Sequence, residues 1–270
     1  MILGMMNRKV LPAIAGAVLL SVAAMPANAA DIIYDPPVYK YEPPEPVSYG
    51  GWYLRGYVGL TNQRYRGLDS QAIQNALDTP AMEYRWLDRG SFTSSGLIGG
   101  GFGYEVNHWL RGDVTVEYRM PSKFTALDTF INPGSGLANT NDYGARKSEL
   151  LFLANAYADL GVYGGITPYV GAGIGTSRNT ISGFVDHNPQ TGVSITGATN
   201  SQWQLAWALH AGVGIELNER TTLDLGYSFT HLGNARTGEI ASNDGFDYDP
   251  FTFRNLHSHD IKVGLRYRFN

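Results

Sequence analysis

Charged side chains in this 270-residue chain recur at even spacings inside apolar runs. Arg111, Asp113 and Glu117 form one such series and Lys262, Arg266 and Arg268 another, while Arg55, Glu105, Asp159, His210, Glu216 and Asp224 each stand in a run whose alternate positions are apolar. A period of two is that of an extended strand, whose successive side chains point to opposite faces. These residues are therefore expected on the polar faces of several strands, and buried charge persists only when paired with its opposite. Two kinds of chemistry fit: a static lattice of salt bridges, or a gate through which ions pass. The lattice is the favoured reading, and it predicts no sizeable open pore.

His231, His257 and His259 make a second constellation. His257 and His259 share one strand face, and a hairpin pairing with the segment that ends near His231 would gather the three at an outer rim, where imidazoles could ligate a metal or haem iron. Rim histidines are more often simply solvated, so no cofactor is assigned. The run His257-Ser258-His259 places Ser258 on the opposite face from both histidines, so a nucleophile–base contact fails on geometry and no catalytic residue is assigned. Asp244, Asp247 and Asp249 surround Gly245 in a spacing that matches no calcium loop. The chain has no cysteine, which removes disulfides and thiolate metal sites. Its net charge of −4 argues against nucleic acid as a partner.

The elements that must hold these residues begin after an export signal. Arg8 and Lys9 precede an apolar run too short to span a bilayer, followed by Ala27-Asn28-Ala29, so residues 1–29 read as a signal peptide cut after Ala29 or Ala30. Residues 30–50 carry Pro36, Pro37, Pro43, Pro44 and Pro46 and read as an extended periplasmic leader. From residue 51 to 270, eight strands are expected, at 51–62, 92–105, 110–120, 148–160, 167–178, 202–217, 221–230 and 259–270. Each sets an apolar face against a polar one, and glycine is abundant on the polar faces. Glycine in an exposed strand packs nothing, whereas in a narrow interior it makes room for larger side chains. Connections alternate, long after the odd strands and short after the even ones. That alternation, with no later run long enough for a membrane helix, predicts an all-β fold: an eight-stranded antiparallel transmembrane β-barrel with short periplasmic turns and long extracellular loops. Trp52, Tyr53, Tyr104, Trp109, Tyr169, Tyr267 and Phe269 are expected in an inner aromatic girdle, and Tyr118, Trp203, Trp207, Tyr227 and Phe229 in an outer one. Within the first long loop, residues 69–77 are expected to form a short helix capped by Asp69 or Ser70.

Thr167-Pro168-Tyr169-Val170-Gly171-Ala172-Gly173-Ile174-Gly175, Ala211-Gly212-Val213-Gly214-Ile215-Glu216-Leu217, Leu223-Asp224-Leu225-Gly226-Tyr227 and the stretch from His259 to Phe269 together carry a family likeness. The region from residue 51 onward resembles the small outer-membrane barrels of the opacity-protein and OmpA-like transmembrane class, in particular α-proteobacterial porin-family surface proteins. The resemblance implies residence in the Gram-negative outer membrane and a non-enzymatic part in envelope integrity and surface presentation, as an adhesin or antigen. A small-solute porin or haem-binding surface protein is the alternative, and a lipid-modifying enzyme the third reading. Implied partners are outer-membrane lipid and lipopolysaccharide, the barrel-assembly machinery, which would read Tyr267 and Phe269, and host or cell-surface ligands reached through the loops. Two departures stand out. The chain ends on Asn270 instead of an aromatic residue, and no peptidoglycan-binding domain follows the last strand.

Overall fold

The computed structural model describes residues 50–269. The expected signal peptide, its cleavage site, the leader up to residue 49 and the C-terminal Asn270 lie outside the described residues. All eight expected strands are present: β1 (Gly51–Arg64), β2 (Ser95–Glu105), β3 (Leu110–Ile131), β4 (Ala138–Asp159), β5 (Ile166–His187), β6 (Asn200–Glu216), β7 (Thr221–Arg236) and β8 (Thr252–Arg268). Each pairs antiparallel with its neighbour in sequence. β8 then pairs back onto β1 from Tyr53↔Arg268 to Arg64↔His257. The eight strands thus form a closed ring, which leaves no unpaired sheet edge.

Alternation decides which face is which. In β1, Leu54, Val58 and Leu60 point out of the ring and are exposed, while Tyr53, Tyr57, Thr61 and Gln63 point in and are buried. β8 repeats the pattern, with Ile261, Val263, Leu265 and Tyr267 outward and Ser258, Asp260 and Arg266 buried inside. An apolar outside around a polar inside is the reverse of a water-soluble barrel and matches lipid as the outer solvent.

Several strands run well past their expected ends. β3 and β4 continue as a long hairpin closed by residues 132–137, where a long loop was expected from residue 121 to 147. The reason lies in an inversion of the pattern. Beyond the register shift between Arg119 and Ser122, Phe124 and Ala126 turn inward and are buried while Lys123 and Thr125 face out. A polar outside around an apolar inside is what water demands, so this upper section stands clear of the membrane. Pro121, which cannot donate to the ladder, sits within that shift and ended the sequence-based reading one section early.

The upper section encloses an apolar core. Phe124 and Phe253 meet edge to face with centroids 5.0 Å apart, and Phe92 lies 5.2 Å from Phe124. Leu151, Ile181, Leu232 and Leu256 are buried with them. The first long loop closes over this core with the strand Arg85–Phe92, which pairs with β3, and the helix Gln71–Leu77. Of the two expected caps, Ser70 is the one used: its Oγ accepts from the Ile73 N–H at 3.2 Å.

Candidate functional site

The lumen below the apolar core is built from the inward faces of all eight strands. At the short-turn end, Arg55 pairs with Asp113 (3.0 Å), Arg111 with Asp159 (3.1 Å), and Arg268 with Glu105 (2.9 Å). Arg266 bridges Glu105 (3.3 Å) and Asp224 (3.6 Å). The Arg111 guanidinium also lies over the rings of Tyr157 and Tyr169, at 4.3 and 4.7 Å from their centroids, where the ring quadrupole faces the cation. Asp113 further accepts from Tyr53 (3.0 Å) and Asn155 (2.8 Å).

Midway up the wall, His210 is held between Ser228 (2.8 Å) and Asn155 (3.1 Å), and Lys262 meets Glu117 at 2.6 Å. The most buried part of the network surrounds Arg119, which is 0 % exposed. Its guanidinium spans Glu117 (2.7 Å) and Asp260 (2.7 Å) and donates to Ser258. Asp260 accepts in addition from Thr230 (3.1 Å) and Ser258 (3.2 Å). One turn of the wall away, Lys147 is paired with Glu149 and donates to Gln63 (2.7 Å), whose own amide donates back to Glu149 (2.9 Å).

Of the twelve charged or histidine residues assigned to the lumen from sequence, eleven enter this network through the contacts just given. Glu216 is the exception. It was expected to face Arg266 and Arg268, but it is exposed at the mouth beside them and has no ion pair among the described residues, because Glu105 and Asp224 occupy those guanidinium groups instead. The sequence reading left out the Arg119, Asp260, Lys147 and Glu149 charges. Arg119, Asp260 and Glu149 share the parity of Glu117, Lys262 and Asn155 and stand on the polar faces expected from sequence, although they were not assigned to the lumen charge set.

Glycines make the filling possible. Tyr53 lies opposite Gly103, Tyr57 opposite Gly99, Tyr157 opposite Gly171 and Tyr169 opposite Gly212. A Cβ on Gly103 would stand 2.4 Å from the Tyr53 ring, and one on Gly171 would stand 2.5 Å from Tyr157. Each interior tyrosine therefore lies flat across a missing side chain. What remains among Arg55, Tyr57, Asn155, Tyr157, His210 and Lys262 is a void of about 20 Å³, room for one or two waters. Tyr53 and Tyr169 were expected in the inner girdle. They instead point inward and are buried, since they share the parity of Arg55 and Gly171.

The outer surface carries the aromatics that remain. Trp52 stacks on Phe102 at 4.8 Å near the short-turn end, with Tyr104, Trp109, Tyr267 and Phe269 exposed at the same level. Tyr118, Trp203, Trp207, Tyr227 and Phe229 sit at the other level. The hairpin does gather His231, His257 and His259, but on the outward face of the wall and not on an outer rim, because β7 and β8 continue past them. His231 pairs directly with His257 and stacks on Trp207 at 5.7 Å; His259 Nδ1 shares a 2.7 Å hydrogen bond with the Tyr227 hydroxyl. They form part of the outer aromatic band. Ser258 is buried inside the wall, on the opposite face from both flanking histidines. Asp244 closes its own turn, accepting from Ser242 (2.6 Å), the Phe246 N–H (3.0 Å) and Tyr248 (2.7 Å), while Asp247 and Asp249 take no part in that turn.

Relatives are found in Brucella suis and Brucella melitensis, both described as uncharacterized proteins, each 30 % identical over 275 residues that cover 90 % of this chain and 93 % of the relative. Among solved structures, Neisserial surface protein A aligns over 81 % of this chain and 97 % of its own length at 14 % identity and a TM-score of 0.43. The outer membrane protein OprG from Pseudomonas aeruginosa aligns over 81 % and 96 % at 13 % identity and a TM-score of 0.45. The outer membrane protease OmpT from Escherichia coli aligns over 83 % and 99 % at 11 % identity and a TM-score of 0.47. The family model of the outer membrane protein beta-barrel domain matches residues 15–269. With a closed ring of strands, an apolar outer wall between two aromatic bands and a match along almost its whole length, the chain belongs to the outer membrane protein β-barrel domain family and resides in the outer membrane.

Proposed function

We propose that the protein is a closed, non-enzymatic barrel that contributes to envelope integrity and presents its upper section at the cell surface, where it is available as an adhesin or antigen. The observation that carries this reading is the filled lumen: ion pairs and tyrosines occupy its lower half, and the phenylalanine core occupies the upper. Charge is conducted poorly through a wall-to-wall lattice in which each cation already holds an anion, and an apolar plug adds a dry barrier above it. The alternative of a small-solute porin requires that both layers move. A haem-binding role would rest on the three histidines, whose rings are engaged with Trp207, Phe229 and Tyr227 on the lipid-facing side. A lipid-modifying activity would need Ser258 and a histidine on one face.

At and beyond the outer aromatic band, Arg64, Lys123, Arg146 and Arg178 face outward and are exposed, and Lys123 and Arg146 are direct cross-strand partners. Like charges set opposite one another repel, so an anionic surface such as lipopolysaccharide phosphate is the partner that suits this belt. Phe269, whose N–H donates to the Trp52 carbonyl at 3.1 Å, closes β8 against β1 at the periplasmic end and is the residue the assembly machinery would read. A deletion strain is expected to gain sensitivity to detergent and to chelation of divalent cations, reversed by the wild-type gene and not by a Phe269→Ala version that fails to show a heat-modifiable band. Wild-type resistance in the deletion strain would reject the envelope role.

A further inference from the structure

The upper section holds a pocket of about 290 Å³ that the closed lumen does not explain. It lies between the loop helix, the far ends of β3, β4 and β5, the segment between β5 and β6 and the segment after β7, on the side of the apolar core that faces away from the membrane. Ile73, Met82, Phe130, Val193, Ile195 and Phe251 supply an apolar body, and the volume is at the lower end of the range for small-molecule sites.

One carboxyl in this wall has no counter-ion among the described residues. Asp186, only 6 % exposed, lines the pocket. The Tyr143 hydroxyl, hydrogen-bonded to Asp128 Oδ2 at 2.7 Å, also serves Asp186, so its one proton is shared between the two carboxyls. Asp128 is itself fully buried, and among the described residues neither carboxyl has a cationic partner. The second acid in the lining, Asp244, is already satisfied by Ser242, Phe246 and Tyr248. No Lys, Arg or His lines the pocket. A buried carboxylate in an apolar chamber without a counter-ion is costly, and a ligand that brought the missing cation would remove that cost. Tyr84, Tyr143 and Tyr248 add ring faces on which an ammonium group can rest.

We propose that this pocket is a surface-facing binding site for small organic ammonium compounds with an apolar body, the ammonium pairing with Asp186 and the body lying against Ile73, Phe130 and Phe251. Burial and the Asp128 charge hold the Asp186 carboxyl up at about 7. The groups facing it are Asp128 from β3, Asp142 and Tyr143 from β4, and Tyr84 and Tyr248 from the loops. An arriving ammonium favours the ionised form, so binding releases a proton near neutral pH and weakens as pH falls below 7.

The test uses the full chain folded in detergent micelles, titrated calorimetrically at pH 8 with phenethylamine, its neutral analogue phenethyl alcohol, and phenylacetate, against matched empty micelles. The amine is expected to bind saturably and at least about tenfold more tightly than the alcohol, with phenylacetate showing no saturation. Asp186→Asn, checked for folding by heat-modifiability, is expected to bring the amine down to the level of the alcohol. Equal binding of amine and alcohol to the wild type would overturn the proposal, as would no saturable binding by any probe, or an unchanged preference in folded Asp186→Asn. If the variant does not fold, the amine–alcohol comparison on the wild type decides. None of these readouts depends on whether the lumen conducts.

Discussion

Arg119 shows how much a single side chain carries in this lumen. It joins β3 to β8 through Glu117, Ser258 and Asp260 in a layer from which solvent is excluded. Removing one partner of such a group leaves uncompensated charge, a change that costs about 3–5 kcal/mol in buried networks. Arg119→Met is therefore expected to lower the urea midpoint of the barrel in micelles, followed by tryptophan fluorescence, and adding Asp260→Asn to recover part of the loss. A midpoint equal to wild type in the single variant would contradict the lattice. Asp186 gives the opposite case, a carboxyl whose acid form is favoured by folding. Its folded-state value of about 7 stands above the unfolded value near 3.8, so between those limits the folded state binds the extra proton. Stability of the upper section is fully present below about pH 4 and declines as pH rises toward 7, by up to a few kcal/mol at roughly 1.4 kcal/mol per pH unit. Hydrogen exchange of the upper section is expected to be slower at pH 5 than at pH 8 after correction for intrinsic rates, and Asp186→Asn to abolish the difference. Eleven of the twelve lumen residues were legible from parity alone; Glu216 shares the parity but stands exposed at the mouth. The Asp128–Asp186 pair was not, because it lies where the alternation inverts and reads as loop.

At the scale of the element, what is legible depends on the solvent. Strand faces in contact with lipid keep a strict apolar and polar alternation, and the eight strands followed from it. Above the outer aromatic band the same strands pass into water, and Phe124, Phe184 and Phe253 turn inward where charges stood one section lower. A single-period reading breaks at that crossing, as it did at Pro121. The glycines were read correctly as space, although the occupants proved to be tyrosines as much as charges. Gly171→Val would drive a side chain into the Tyr157 ring and the backbone carbonyl of Ala156, 2.8 Å from the built Cβ. Overpacking of this kind costs about 1–3 kcal/mol. The substitution is expected to reduce the yield of folded, heat-modifiable protein, whereas Ala172→Val on the lipid-facing side of the same strand leaves it unchanged. Equal yields for the two variants would show that the tyrosines can move aside.

The described residues form a barrel whose two halves are filled by opposite chemistry, ion pairs within the membrane and aromatic side chains above it. The start of β1, the end of β8 and the short turns share one end, and the long hairpin of β3 and β4 with the loop helix stands at the other. The belt of exposed cations, the histidines in the outer band and the acidic pocket all belong to that second end, so the proposed binding surfaces lie together there. Nothing is expected to pass through the middle of this barrel. Single-channel recording in planar bilayers, using protein shown to be folded by heat-modifiability, is the decisive measurement. A flat baseline with no stable steps of porin size is expected between neutral and mildly acidic pH; reproducible, long-lived steps of that size from the wild-type protein would refute a closed lumen.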